Sequence, residues 1–213
     1  MKFLYLAILS FLLAACQSES TETPNHEKVT VTIKDDASHR EIAINEPKPV
    51  APFVSKAGRF SVQFPTEPTT QKKKINSPDV GQIALTQYLC EKEGTKAWLV
   101  SFSDYPAQMI KLGNNQKLLK GIRNQILQSL GTSVESQKEI MLADKYEGLS
   151  FTAHAPRQKM DVVATIYLVK NRLYQLIMFS SVGKFAPTEV DGFMNSFQLT
   201  ELQKATEDLA ENK

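Results

Sequence analysis

The side chains best suited to nucleophilic or metal chemistry in this sequence are Cys16, Cys90, His26, His39 and His154. A zinc site needs three or four such ligands at close spacing, and these five are scattered along the chain. His154 and Asp161 could meet as a pair, but a solvated histidine at the end of a predicted strand explains the same pattern. Cys90 lies within a predicted strand and is expected to be a small core residue. We therefore predict no metal site and no cofactor.

Motifs that build a catalytic site are absent from the sequence. It contains no Gly-x-Ser-x-Gly, no His-Glu-x-x-His and no Walker loop, which would supply a serine nucleophile, a zinc site or a phosphate cradle. The Val-Gly-Lys segment at 182–184 lacks the upstream glycine and the following hydroxyl residue of a phosphate loop. Glu91 and Glu93 lie beside a turn glycine, where solvation explains two nearby carboxylates. We predict that the protein is not an enzyme.

Aromatic side chains offer one candidate ligand pocket, made of Trp98, Phe102 and Tyr105. Trp98 and Phe102 share one face of a predicted strand with Val100, which is the pattern of a half-buried strand. Packing in a hydrophobic core therefore explains these side chains without a ligand.

Lys72, Lys73 and Lys74 form the sharpest charge run of the sequence. In a strand, successive side chains alternate between the two faces, and edge strands often carry lysines that block pairing with another sheet. The run also fits a patch that docks on a partner protein, or a contact with lipid head groups. Lys72, Lys73 and Lys74 together are our candidate partner-docking patch.

The overall composition fits a folded soluble domain. Of the 213 residues, 42% are hydrophobic and 23% are charged, which excludes a wholly disordered chain. Lysine and arginine number 25 against 23 acidic residues, so the net charge of +2 gives no support for a nucleic-acid partner. The two cysteines exclude a scaffold held by many disulfides.

The first residues indicate export from the cytoplasm. Met1 and Lys2 precede an apolar run at residues 3–13 that only Ser10 interrupts, which is the pattern of a secretory signal. As a helix, these residues span about 17 Å, against a hydrocarbon core of about 30 Å. The run is therefore too short to be a stable transmembrane anchor.

The Leu-Ala-Ala-Cys sequence at residues 13–16 resembles the lipobox of bacterial lipoproteins. The resemblance implies a signal peptide at residues 1–15 and an acylated Cys16 that anchors the chain in a membrane through two or three acyl chains. Gln17 stands where an aspartate would retain such a lipoprotein in the inner membrane, so the periplasmic face of an outer membrane is favoured in an organism that has one. The alternative is a plain signal peptide in which Cys16 is incidental.

An acidic, proline-containing tether is predicted for residues 16–55. Serine, threonine, glutamate and proline dominate its two ends, and no helical period is sustained within it. Residues 29–33 and 41–45 alternate as strands do. Because an isolated two-stranded hairpin is marginal in water, this pair either docks on the edge of the domain or stays largely unfolded.

A single domain is predicted for residues 56–199, followed by a polar helical tail at residues 200–213. Phe60, Val62 and Phe64 alternate as the inward face of its opening strand. Seven further strands are predicted at residues 69–75, 80–90, 97–104, 133–141, 146–154, 160–169 and 172–180.

Two of these strands have the composition of central strands. Residues 162–169 and 173–179 are apolar on both faces, which is typical of strands covered on both sides. Lys170 and Asn171 between them predict a tight hairpin turn, in which the asparagine takes the positive φ.

Two helices complete the predicted domain. The first is amphipathic and covers residues 115–130, with Asn114 or Asn115 as its N-cap and Gly131 just beyond its end. The second begins near Pro187. The elements predict an α+β fold with a twisted, mainly antiparallel sheet of about six to eight strands. Their order argues against a parallel nucleotide-binding sheet.

The pattern resembles the PsbP-like superfamily, and especially the DcrB-type bacterial lipoproteins. The resemblance covers roughly residues 57–199 and rests on the opening strand at 58–65, the helix that ends at Gly131, the hairpin at 166–174 and the closing segment at 193–197. It implies an α/β/α sandwich, an accessory or assembly role in which the domain binds other proteins, and no shared set of catalytic residues.

The leading functional hypothesis is a non-enzymatic envelope lipoprotein, anchored through Cys16, that binds another envelope protein as an accessory or assembly factor. The first alternative is a periplasmic carrier of a small ligand or lipid, with a cavity between the helix at 115–130 and the sheet. The second alternative is an enzyme of unknown class.

Overall fold

The computed structural model describes residues 51–77, 81–92 and 94–200. Cys16, the predicted signal peptide, the two alternating segments and most of the predicted tether lie outside these residues, as does the predicted tail after Thr200. In chain order, the elements are β1 (Phe53–Ser55), β2 (Phe60–Val62), β3 (Thr69–Ser77), β4 (Gly81–Lys92), β5 (Lys96–Asp104), α1 (Ala107–Leu112), α2 (Asn115–Ser129), β6 (Val134–Leu142), β7 (Tyr146–Ala155), β8 (Met160–Val169), β9 (Arg172–Ser181), α3 (Pro187–Asn195) and β10 (Gln198–Leu199).

Strands β3 to β9 form a seven-stranded antiparallel sheet. Their spatial order is β3-β4-β5-β9-β8-β7-β6, so that β3 and β6 are the edge strands. All seven lie where the alternating sequence pattern predicts them, to within two residues at each end. The apolar strands β8 and β9 are inner strands, as predicted. The predicted α+β class is confirmed.

A smaller sheet, in the order β1-β2-β10, adds to the predicted layers. It contains the predicted opening strand together with Phe53–Ser55, which the sequence pattern assigned to the end of the tether. The aromatic ring of Phe53 explains this difference, since its centroid lies 4.9 Å from that of Tyr88 and 5.7 Å from that of Phe64. Burial of an aromatic ring fixes this short segment to the domain.

The large sheet has two faces, each covered by a different layer. On the helix-side face, α2 packs Leu119, Ile122 and Ile126 against the apolar side chains of the sheet. On the aromatic-side face, the small sheet and α3 contribute Phe60 and Phe193 to a second core. The seven-stranded sheet therefore lies between helices on one side and a small sheet with a helix on the other.

Strand β5 divides its side chains between the two cores as the sequence predicts. Trp98, Val100 and Phe102 lie in the aromatic-side core, whereas Ala97 and Leu99 lie in the helix-side core. This strict alternation fixes the register of β5, because a slip of one residue would exchange the two sets.

Helix α2 has the caps that its sequence predicts. The Asn114 side chain accepts a hydrogen bond of 2.9 Å from the backbone N–H of Lys117. Gly131 has a φ of 62° beyond the helix end, and its N–H donates to the carbonyl of Gln128. The Thr132 N–H donates to the carbonyl of Leu127, which completes a Schellman motif.

The turn between β8 and β9 differs in detail from the prediction. The positive φ of 57° belongs to Lys170 and not to Asn171. Asn171 instead binds the end of β5: its side-chain N–H donates to the carbonyl of Tyr105 over 2.9 Å, and its own carbonyl accepts from the Tyr105 N–H over 2.8 Å. These two bonds hold Asn171 in place, so the left-handed conformation falls on the preceding residue.

Candidate functional site

Strand β3 places the three lysines of the candidate docking patch on two faces of the sheet. Lys72 and Lys74 lie on the aromatic-side face and are exposed. Lys73 lies on the helix-side face and is half-buried, two residues from Ile75, which packs against the helix-side core. Burial lowers the pKa of Lys73, because desolvation disfavours its charged form. The exposed surface therefore contains Lys72 and Lys74, which we name the lysine edge.

The lysine edge combines two charges with an open strand. Lys72 pairs with Thr86 and Lys74 with the exposed Ala84 on β4, and in the described sheet β3 has no partner on its outer side. Side chains two residues apart on one face of a strand are separated by about 7 Å. Neither lysine forms an ion pair with any residue of the described ranges.

The nearby cation Arg172, by contrast, is fully engaged. Its Nε and Nη2 atoms donate to the two carboxylate oxygens of Asp104 over 2.6 and 2.7 Å, and its Nη1 atom donates to the carbonyl of Ala57 over 2.9 Å. Its guanidinium carbon lies 4.7 Å from the ring centroid of Phe102. The hydrogen bonds from Arg172 lower the pKa of Asp104. This pair is structural, whereas Lys72 and Lys74 form no ion pair with the residues that the structure describes.

A row of polar side chains crosses the opposite, helix-side face. Strand pairing aligns Gln71 of β3 with Gln87 of β4, Gln87 with Ser101 of β5, and Ser101 with Gln175 of β9. Gln87 is 3% exposed and Ser101 is 1% exposed, while Gln71 and Gln175 are half-buried. We name these four residues the polar row.

Apolar side chains flank the polar row. Leu89 and Leu99 lie one step along the sheet on one side, and Leu85 and Leu173 lie one step along on the other, with the buried Ser103 between them. The Oε1 atom of Gln87 is buried and has no hydrogen-bond partner among the described residues. A buried polar atom without a partner is costly and is uncommon in folded proteins.

The sequence pattern did not reveal the polar row. In each strand it appears as a single glutamine or serine among apolar residues, and only the strand register brings the four side chains together. An interruption of the apolar alternation at Gln87 and Ser101 was the one available signal.

His154 and Asp161 meet, although a solvated histidine explained the sequence pattern equally well. They are paired across β7 and β8, and the Nδ1 atom of His154 lies 2.8 Å from Oδ1 of Asp161. Burial raises the pKa of Asp161, but the hydrogen bonds from the Gly183 N–H and from His154 outweigh this effect and lower it overall. The hydrogen bond from Gly183 to Asp161 holds the turn beside this pair. The pair supplies only two potential metal ligands. Within residues 51–77, 81–92 and 94–200, no group of three potential metal ligands occurs.

Four further candidates of the sequence are core residues, whereas His26, His39 and Glu93 lie outside the residues that the structure describes and Glu91 is exposed. Cys90 is 2% exposed, and its sulfur lies 3.0 Å from the hydroxyl oxygen of Thr66. Trp98 and Phe102 pack in the aromatic-side core, whereas Tyr105 packs in the helix-side core, so the three do not line one pocket.

An open groove of about 510 Å³ lies at the C-terminal end of α2. Its walls include Leu127, Gln128, Thr132 and Val134, and all of its lining side chains are neutral. The groove offers no charged group to a ligand and no catalytic one. None of the helices in the described part of the chain is long and apolar enough to cross a membrane.

Comparison with known proteins identifies the fold. No protein-family model and no curated protein sequence matches the chain. The chain is similar to the solution structure of cyanobacterial PsbP (CyanoP) from Synechocystis sp. PCC 6803, with a TM-score of 0.50 and 10% sequence identity. The match covers 70% of this chain and 91% of that chain. At this identity the likeness shows a PsbP-like fold and no more.

Proposed function

We propose that this protein is a membrane-anchored envelope lipoprotein that binds another protein and catalyses no reaction. Cys16 carries the lipid anchor, and the lysine edge contacts an acidic surface of the partner. The observation that supports the docking role is the pair of exposed lysines on an edge strand, with no acidic partner among the residues described. Complementary charge at an interface favours encounter and selects the partner.

A protein partner suits the lysine edge better than a membrane surface. Two lysines near an anionic bilayer contribute only about 1 kcal/mol each, which adds little to an acyl anchor. An open strand edge also presents backbone N–H and C=O groups, which an extended segment of a partner can pair with. The combination of charge and backbone hydrogen bonding is specific to a polypeptide.

In-cell crosslinking of the full chain tests the docking role. We expect one specific envelope protein to be crosslinked by the native chain and to be lost from the Lys72→Glu/Lys74→Glu variant. The matched control is Lys138→Glu/Lys145→Glu, which makes the same charge change at exposed positions on and beside the other edge strand. The control should retain the adduct.

Two outcomes would contradict the docking role. Adducts that are identical for the native chain and both variants would show that the lysine edge does not contact the partner. Recovery of abundant neighbours alone, with no specific adduct, would count against a binding module altogether.

The anchor is tested separately from the docking surface. We expect mass spectrometry of the native protein to show an N-terminal Cys16 that carries acyl chains. The Cys16→Ser chain should fold normally but should leave the membrane fraction and lose function in the cell. Full rescue of a deletion phenotype by the Cys16→Ser chain would show that anchoring is not required.

The carrier alternative is favoured by a different observation, the polar row on the helix-side face. The polar row lies on the opposite face of β3 from the lysine edge, so this observation is independent of the docking role.

A further inference from the structure

Two neighbouring loops at one end of the large sheet carry an excess of positive charge. Residues 156–159 connect β7 to β8, and residues 182–185 follow the end of β9. The Val182 N–H donates to the carbonyl of Lys159 over 3.3 Å, so the two loops lie side by side. Together they contain Arg157, Lys159 and Lys184, all exposed, and no acidic residue. We name residues 156–159 and 182–185 the basic loops.

The carboxylates that follow each basic loop in the chain are already engaged. Asp161 accepts from the Gly183 N–H through Oδ2 over 2.8 Å, and its Oδ1 lies 2.8 Å from Nδ1 of His154. Glu189 forms an ion pair with Lys96. The three cations of the basic loops form no ion pair with the part of the chain that the structure describes. Their positive charge is therefore presented to solvent.

An exposed apolar side chain lies between these cations. Val182 is 50% exposed, its backbone is bonded to Lys159, and Lys184 follows two residues later. Binding to a membrane interface depends on buried apolar area together with attraction between basic side chains and anionic lipids. Long basic side chains also suit this position, because their stems cover apolar surface while their charged ends reach the phosphates. The basic loops therefore have both features of a surface that contacts an anionic bilayer.

The chain also enters the domain from the end that carries the basic loops. Strands β4 and β9 run in the same direction, toward this end, because β5 pairs antiparallel with both. Before β2, the Ala57 carbonyl accepts from Arg172 at the start of β9; after β2, the Thr66 hydroxyl lies 3.0 Å from the sulfur of Cys90, near the end of β4. Strand β2 thus runs toward the basic loops, and the antiparallel β1 runs away from them. The segment that precedes Phe53 approaches from their side.

We propose that the basic loops bind the anionic surface of a phospholipid bilayer. Arg157, Lys159 and Lys184 contact lipid phosphates, and Val182 enters the head-group region. This contact extends the proposed function, in which acyl chains on Cys16 supply the anchor, but it does not require acylation. Its effect is to orient the domain. Because the strands run between the two ends of the sheet, the lysine edge stays open beside the membrane for a protein partner.

Fluorescence quenching by brominated lipids measures the insertion of the loop at Val182. The full chain carrying Cys16→Ser is mixed with vesicles of phosphatidylglycerol and phosphatidylcholine in equal parts, the latter brominated on its acyl chains. We expect the Val182→Trp variant to be quenched. The matched control is Met141→Trp, since Met141 is 51% exposed on β6 near the opposite end of the sheet, and it should not be quenched. The native Trp98 is 1% exposed and gives the same background in both variants.

Charge reversal tests the electrostatic part of the contact. Arg157→Glu/Lys184→Glu should weaken co-sedimentation with phosphatidylglycerol-containing vesicles by about tenfold or more, because repulsion from the anionic lipid replaces attraction. Lys138→Glu/Lys145→Glu makes the same charge change at exposed positions outside the basic loops and should bind as the native sequence does. The apolar run at residues 3–13 is the same in every variant, so its own affinity for vesicles does not affect the comparison.

Any of three results would overturn the proposal: equal quenching of the two tryptophan variants, equal binding of the two charge-reversal variants, or equal binding of the Cys16→Ser chain to vesicles with and without phosphatidylglycerol. If Arg157→Glu/Lys184→Glu instead lost the in-cell crosslink and kept its vesicle binding, the basic loops would contact an acidic protein. Circular dichroism checks the fold of each variant.

The outcome is separable from the proposed function. Acylation of Cys16 is absent from these chains, and purified vesicles contain no protein partner. A negative result would therefore remove the lipid contact of the basic loops and leave the anchor and the lysine edge to their own tests.

Discussion

Arg172 and Asp104 show how single side chains fix the charge of the surface next to the lysine edge. The guanidinium forms two parallel hydrogen bonds with the carboxylate and stacks on Phe102. This geometry is the strong form of an ion pair, because both partners are held in one plane. The carboxylate is therefore committed to Arg172 and does not neutralise the neighbouring lysines.

The Arg172–Asp104 pair predicts a pH dependence of stability. Its hydrogen bonds lower the pKa of Asp104, so the pair stabilises the fold above the unfolded-state pKa of about 3.9 and is lost as the pH falls through the folded-state value. We expect Asp104→Asn to reduce the free energy of unfolding by about 0.5–1 kcal/mol near pH 7 and by almost nothing near pH 2.

Urea unfolding of the native chain and Asp104→Asn over this pH range measures the difference. Glu135→Gln, at an exposed position on β6, is the control for the loss of one negative charge. A stability difference between Asp104→Asn and the native chain that stays constant down to pH 2 would contradict the electrostatic origin.

At the scale of elements, α2 is specified almost entirely by local sequence. The period of its apolar residues, its Asn114 cap and its terminal Gly131 all lie within a short segment, and each is found where the sequence predicts it. Such an element can be predicted because its determinants are neighbours in the chain.

Replacement of glycine by alanine is expected to have opposite effects on stability within α2 and at its C-terminal cap. Gly121 lies within the helix and has open space around its Cβ position, so Gly121→Ala should raise the free energy of unfolding by about 0.5–1 kcal/mol. Gly131 has a φ of 62°, so Gly131→Ala should lower it by about 1 kcal/mol. Urea unfolding of the two variants checks both signs, and a stabilising Gly131→Ala would refute the role of the Schellman cap.

The short elements could not be predicted from the sequence. Strands β1 and β10 have three and two residues, and α1 has six, so none contains two full periods of its pattern. Phe53 is held by the rings of Phe60 on β2 and of Tyr88 on β4, and Tyr88 is remote from it in the sequence. Tertiary packing, and not local propensity, sets the start of the domain.

At the scale of the whole molecule, the candidate sites follow from topology. Seven strands, their central pair and the antiparallel arrangement were predictable from alternation and apolar composition. The polar row was not, because Gln87, Ser101 and Gln175 come together only through the pairing of β4, β5 and β9. The sequence predicts that the lysine run is divided between two faces, because the side chains of a strand alternate. It does not predict which lysine is half-buried, because that depends on the layer that covers each face.

The two faces of β3 are predicted to act independently. Lys72 and Lys74 lie on the aromatic-side face and Lys73 on the helix-side face, so the backbone of one strand separates Lys73 from the lysine edge. Successive side chains of a strand point to opposite faces, so a partner that docks on the lysine edge does not meet Lys73. We therefore expect Lys73→Met to leave the yield of the crosslinked partner unchanged, whereas Lys72→Glu/Lys74→Glu abolishes it. Loss of the adduct from Lys73→Met would show that the contact extends to both faces of β3.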